Sequence, residues 1–279
     1  MYDDIIPVTD AHCHVFPDKI AEKSKESVRD FYELPMYTSG TVSHLQAERS
    51  RIMEIHHQKY QIVRQLICSP AVVPKQTESI NHFISETVNA DTGFVGFGTI
   101  HPENENFQEI LAEFRKKNLI GLKVHSDFQQ FNIDEPRMYP VYHETVRLHL
   151  PVLFHMGDKK LDYSHPRRLQ RLLDDMPRLT AVAAHMGGYS HWQEAYEILE
   201  PSERLYFDIS STLQFIDADL LLKFIRKFGE TQFFFGSDFP MWSPEKELRT
   251  LIDFNYPEKL LHKLIFQNYT DFLEHCSPA

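Results

Sequence analysis

The chain of 279 residues is 42% hydrophobic and 13% aromatic, enough to bury a substantial core. Its formal charge of −11 and pI near 5.8 repel polyanions, and no basic stretch with interleaved aromatics offsets that field, so nucleic acid is not an expected partner. Cys13, Cys68 and Cys276 are odd in number, widely spaced and free of any C-x-x-C, which points to reduced thiols and a cytoplasmic location.

The start, Met1 to Pro7, carries Asp3 and Asp4 where a signal peptide would carry positive charge. No apolar run approaches the roughly 18 residues of a membrane span, so no membrane association is expected. The first apolar run, Ile5 to Val8, leads into Asp10-Ala11-His12-Cys13-His14. A strand sends alternate side chains to one face, so His12 and His14 converge while Cys13 points away. Two convergent imidazoles are half a zinc site, or else a pair of hydrogen-bonded histidines at a strand end.

Further candidate strands follow at Ile62 to Cys68, Phe94 to Ile100, Ile120 to His125, Leu150 to His155, Thr180 to His185, Leu205 to Ile209 and Phe233 to Ser237, making eight with the first. Between them lie amphipathic segments, such as the helical face of Phe107, Ile110, Leu111 and Phe114 and that of Leu220, Leu221, Phe224 and Ile225. Ser243-Pro244-Glu245 reads as an N-cap with proline at the first helical position. This alternation predicts a parallel sheet closed into a TIM-type (β/α)8 barrel, one α/β domain over residues 1–279. An open doubly wound sheet is the alternative, but no glycine-rich phosphate turn follows the first strand. One long irregular stretch, about residues 16–43, is expected to act as a lid.

The residues that end these strands carry the chemistry. His12 and His14 end the first, Lys123 and His125 the fourth, His155 the fifth and His185 the sixth, while Asp238 follows the eighth. In a barrel those carboxyl ends form one rim, so residues distant in sequence can converge on a single divalent ion. Imidazole and carboxylate suit zinc and similar ions, and His12, His14, His155 and Asp238 could supply the site. Trp242, just beyond Asp238, is a candidate pocket-lining residue.

Together, Asp10 to His14, Gly121-Leu122-Lys123-Val124-His125, His155-Met156-Gly157, His185-Met186-Gly187-Gly188 and Gly236-Ser237-Asp238-Phe239-Pro240 resemble the amidohydrolase superfamily. More narrowly they are similar to its amidohydrolase-related (amidohydrolase 2) branch, which includes aminocarboxymuconate-semialdehyde decarboxylase and hydroxybenzoate-type decarboxylases beside many uncharacterised hydrolases. The resemblance runs nearly end to end and implies a metal-dependent hydrolase fold. It implies metal ligation by His12, His14 and His155, an acid/base role on the metal or its water for Asp238, and substrate contact or ligation of a second ion for His185. Lys123 would bridge two ions if carbamylated; unmodified, its ammonium is repelled by a dication unless it turns away or pairs with an anion such as a substrate carboxylate. One essential ion, zinc, is favoured, with a second as the alternative. A homo-oligomer is compatible with the resemblance.

Three functions follow for a small-molecule substrate bound near Lys123, His125 and Trp242. The leading expectation is hydrolysis of an amide, ester or lactone, with Asp238 taking the proton of metal-activated water and His185 stabilising the oxyanion. The compactness of the chain favours this reading. The alternative is non-oxidative decarboxylation of an unsaturated or aromatic acid, for which Lys19, Lys23, Lys25, Arg29, Lys159 and Lys160 are candidate carboxylate clamps. The third is a non-catalytic metal-binding barrel, which predicts a missing site residue, and none is missing.

Overall fold

Strand and helix alternate as the periodicities predict. A computed structural model describes residues 5–276, so Asp3 and Asp4 lie outside the described residues. The strands are β1 (Ile5–His14), β2 (Ile52–Ile55), β3 (Gln58–Cys68), β4 (Phe94–Thr99), β5 (Leu119–Val124), β6 (Val152–Phe154), β7 (Ala181–Ala183), β8 (Leu205–Asp208) and β9 (Phe233–Phe234). All but β2 are parallel to their neighbours and lie in the order β1-β3-β4-β5-β6-β7-β8-β9. The segment after β9 brings the sheet round to β1: Ala11 N–H donates to Phe235 O and Asp238 N–H to His12 O, both at 2.9 Å. The result is the expected eight-stranded parallel barrel.

Two apolar layers hold it together. Leu66, Phe97, Leu153, Val182 and Phe234 cluster with Tyr269 and Phe272 of the C-terminal helix Asn268–Cys276. A larger layer, including Val124, Phe154, Phe207, Phe224 and Leu248, packs strands against the surrounding helices. Because β6 and β7 are buried on both faces, their sequences are continuously apolar rather than alternating.

Two features depart from the sequence expectation. The third segment of sheet begins at Gln58, not Ile62, because β2 folds back on β3 in an antiparallel hairpin. Its two-residue turn is His56-His57, both at positive φ, where the usual signal would be Asn-Gly. The stretch expected to be irregular is largely helical, Asp18–Tyr32, followed by a second helix at Val42–Ser50. Among the described residues no helix is long and apolar enough to cross a membrane.

Candidate functional site

The end of β1 is bent towards the rim. Its pairing with β3 shifts register between Val8 and Thr9 and again between Asp10 and Cys13, and such irregularities re-aim side chains. Buried Asp10 fixes the bend, accepting from Ser237 N–H at 2.8 Å and Ser237 Oγ at 2.6 Å. His12 and His14 then meet Nε2 to Nε2 at 3.2 Å, and Asp238 Oδ1 lies 3.5 Å from His14 Nε2 and 3.8 Å from His12 Nε2. Lys123 Nζ, fully buried on β5, reaches His12 Nε2 at 3.1 Å.

The outer partners of these rings decide where their lone pairs point. Asp208 Oδ1 already accepts from Ser210 N–H, Ser210 Oγ and His185 N–H, and its Oδ2 accepts from His12 Nδ1 at 3.0 Å. His12 therefore carries its proton on Nδ1 and a lone pair on Nε2. His14 turns Nδ1 towards Cys68, 3.8 Å from a sulfur whose own S–H donates to Cys13 O. Its Nε2 lone pair thus faces that of His12. Two facing lone pairs repel unless a cation or an extra proton lies between them, and the Lys123 ammonium is the cation the chain itself brings there.

A second facing pair lies beside the first. His155 Nε2 donates to Gly157 O at 3.0 Å, and His185 Nδ1 lies 3.1 Å from Ser210 O, so His155 Nδ1 and His185 Nε2 confront each other with lone pairs at 3.0 Å. Gly157, at φ +79, has no substitute here, because a Cβ would lie 2.4 Å from Tyr189 O. His185 and Asp238 both adopt left-handed backbone, at φ 56, which non-glycine residues enter only where the surroundings hold them. Burial lowers the pKa of His12, His14, His125 and His155 well below the usual imidazole range and that of His185 to about 4. These rings are kept neutral, the state in which imidazole ligates metal.

This donor set fits a divalent ion. Ligand atoms about 2.0 Å from one four-coordinate ion lie roughly 3.3 Å apart, close to the separations among His12, His14 and Asp238. Other groupings with mutually close ligand atoms among the described residues are His12 with His14 and Cys68, His12 with His185 and Asp208, His125 with Asp127 and His155, and His165 with His191 and Glu194. Of the expected set, His12, His14 and Asp238 converge directly, whereas His155 stands beside His185 and stacks on His125 at 3.9 Å. Trp242 acts through a neighbour: its Nε1 donates to Ser211 Oγ at 2.8 Å, and Ser211 donates to Asp238 Oδ2 at 2.5 Å. The candidate cations outside the barrel are largely engaged elsewhere, Arg29 with Asp30 and Lys160 with Glu33.

Sequence reasoning missed Asp208, Ser210, Ser211, Asp127 and Tyr32. Asp208 ends β8 as the histidines end theirs, a signal obscured because the apolar run continues to Ile209. It faces the nitrogen of His12 opposite the convergent one, and such a partner fixes ring orientation and basicity. Asp208→Asn is expected to weaken metal affinity about 10- to 100-fold while the barrel stays folded. Chelator competition measures this, and an unchanged affinity would rule out the orienting role.

A parallel eight-stranded barrel with imidazoles and carboxylates gathered at the carboxyl ends of its strands is the architecture of a barrel enzyme with its active site on that rim. The chain belongs to the amidohydrolase family, whose model matches residues 9–268. No curated protein matches it by sequence. Among solved structures it is similar to 5-carboxyvanillate decarboxylase from Sphingomonas paucimobilis, at 17% identity and TM-score 0.68, covering 96% of this chain and 99% of that one. It is also similar to 2,6-dihydroxybenzoate decarboxylase from Rhizobium, at 15% identity and TM-score 0.72, covering 96% and 98%. A dihydroxybenzoic acid decarboxylase from Polaromonas, solved with manganese and the inhibitor 2-nitroresorcinol, matches at 15% identity and TM-score 0.71, covering 98% of each chain.

These neighbours correct the leading expectation of amide, ester or lactone hydrolysis, because these similar barrels are decarboxylases of aromatic acids. Compactness does not separate the two reactions, since the match spans 99% of the Sphingomonas decarboxylase. The physical reason for the error is that the motifs describe the metal donors. The same donors serve attack by water and orientation of a carboxylate.

Proposed function

We propose that the protein catalyses non-oxidative decarboxylation of a small aromatic carboxylic acid at a divalent metal ion. The observation that carries this reading is the convergence of imidazole lone pairs and the Lys123 ammonium beneath aromatic side chains. Above the polar floor stand Tyr32, Phe128, Tyr189, Phe215 and Trp242, linked by ring contacts of 5.7 Å from Tyr32 to Phe128 and from Tyr189 to Phe215, and 6.2 Å from Trp242 to Phe215. Aromatic neighbours favour a flat ring, and the imidazoles and the Lys123 ammonium favour its carboxylate. The decarboxylase activity of similar barrels supports the same substrate class.

His12, His14, His155 and Asp238 would hold the ion, with His185 beside it. Imidazole and carboxylate donors accommodate zinc or manganese, and manganese is the ion bound by the Polaromonas neighbour. When bound, such an ion neutralises and orients the substrate carboxylate. Lys123 has the charge and burial to pair with that carboxylate once it gives up the His12 lone pair. Burial pushes the Asp238 carboxyl up to about 7 in the ion-free chain, and we assign to it the proton that replaces the carboxylate. It delivers that proton to the ring carbon bearing the carboxylate; the carbon–carbon bond then breaks, its electron pair stays with the ring, and carbon dioxide leaves. His185 flanks the carboxylate during the transfer.

The metal-loaded protein should convert at least one member of a panel of benzoates and hydroxybenzoates into carbon dioxide and the corresponding arene in equal amounts. In heavy water, one deuterium should appear at the vacated carbon. Absence of carbon dioxide release from the entire panel would overturn the reading.

A further inference from the structure

Tyr32 comes from outside the barrel. It is the last residue of the helix Asp18–Tyr32, which Glu33 stops by entering left-handed backbone at φ 56. The junction is tied to the loop after β6 by a 2.7 Å ion pair from Lys160 Nζ to Glu33. Further along, Tyr37 N–H donates to Pro240 O at 3.0 Å, securing the segment beside Asp238. These ties place the phenol over the imidazoles: Tyr32 Oη lies 3.1 Å from His125 Nε2 and 3.3 Å from His155 Nε2.

The tautomers of those two rings determine what the hydroxyl can do. His125 caps the helix Ser126–Gln129, its Nδ1 accepting from Phe128 N–H at 3.4 Å, so its proton is on Nε2 and points at Tyr32. His155 likewise carries its proton on Nε2, held by Gly157 O at 3.0 Å. Neither nitrogen offers a lone pair, so Tyr32 Oη accepts from His125 Nε2–H and can donate to neither ring. Its own O–H hydrogen has no acceptor among the described residues. A part-buried hydroxyl that accepts from an imidazole N–H and keeps a free hydrogen is a donor waiting for an anion.

We propose that Tyr32 is a substrate-contacting residue, its hydroxyl donating to the carboxylate of the bound aromatic acid; this deepens the decarboxylase reading and rests on it. The phenol recognises the group that is to leave, and the helix Asp18–Tyr32 thereby contributes specificity as well as cover. Loss of carbon dioxide removes the acceptor and weakens the hold on the product.

Tyr32→Phe tests this, because it removes one oxygen and keeps the ring contacts with Phe31, Phe128 and Tyr189. Calorimetric binding to metal-loaded protein would compare salicylate with phenol and 2,6-dihydroxybenzoate with resorcinol, each acid against its decarboxylated counterpart. The variant should bind the acids about tenfold more weakly than wild type and the phenols unchanged, since a hydrogen bond to a charged group is lost. Equal weakening for acid and phenol would assign Tyr32 a packing role and overturn the proposal, as would no weakening at all. A wild-type protein that binds neither acid and also releases no carbon dioxide from the panel would instead overturn the substrate class itself. Melting temperature and metal content, measured on both proteins, exclude misfolding as the cause of any difference.

Discussion

His12→Ala is expected to leave a barrel without its divalent ion and with turnover reduced at least about a thousandfold, the scale of the several kcal/mol a catalytic ion supplies. His12 stands at the centre of the polar floor, with Asp208 and Ser210 on its Nδ1 side and His14, Lys123 and Asp238 gathered around Nε2. Truncation removes one lone pair from the convergent set. It also leaves Asp208 Oδ2 buried without its donor, so a fall in melting temperature should accompany the loss of metal. Asp208 retains its bonds to Ser210 and to His185 N–H through Oδ1, which gives the remaining rim a means of holding its shape. Elemental analysis of the purified variant should fall from about one ion per chain to near zero, with far-ultraviolet circular dichroism unchanged. Full metal content together with full activity would remove His12 from the site.

The strand-end histidines were legible because each apolar run stops at a polar side chain, and in a parallel barrel all such stops share one rim. His12, His14, His155 and His185 follow from that rule, whereas Lys123 lies inside its strand and Asp238 just beyond the end of the eighth. Asp208 obeys the same rule yet was hidden, since Ile209 prolongs the apolar run past it. Tyr32 obeys no strand rule; it reaches the site from a charged helix whose docking depends on Glu33, Lys160 and Tyr37, and no sequence pattern pairs these residues with the rim. Strand β2 was concealed by a histidine pair at its turn. The direction of an imidazole lone pair is set by its partner: Asp208 lies 196 residues from His12 and Ser210 lies 25 from His185, so no local pattern encodes those two, and only Gly157 is a near neighbour of its ring, His155. The choice of reaction was illegible for a different reason. Water and carboxylate use the same donors, and the sequence motifs record the donors.

Asp238→Asn separates metal binding from chemistry. The asparagine matches the carboxylate in shape and offers an oxygen to an ion, but it holds no transferable proton. In the wild type, Asp238 Oδ2 is fixed by Ser211 Oγ at 2.5 Å, and Trp242 holds Ser211 in turn at 2.8 Å. The carboxyl is thereby aimed from left-handed backbone, with Oδ1 towards His12 and His14. In the ion-free chain burial first, and the neighbouring Asp208 after it, raise its pKa to about 7. The variant should therefore retain most of its metal and its fold while carbon dioxide release falls about a hundredfold to ten-thousandfold, the range spanned by positioned acid/base groups. Incorporation of deuterium at the vacated ring carbon should slow by the same factor. If proton delivery instead ran through His185, Asp238→Asn would keep near-normal turnover and His185→Asn would lose it. The two variants, measured side by side with metal content determined for each, assign the proton to one residue or the other.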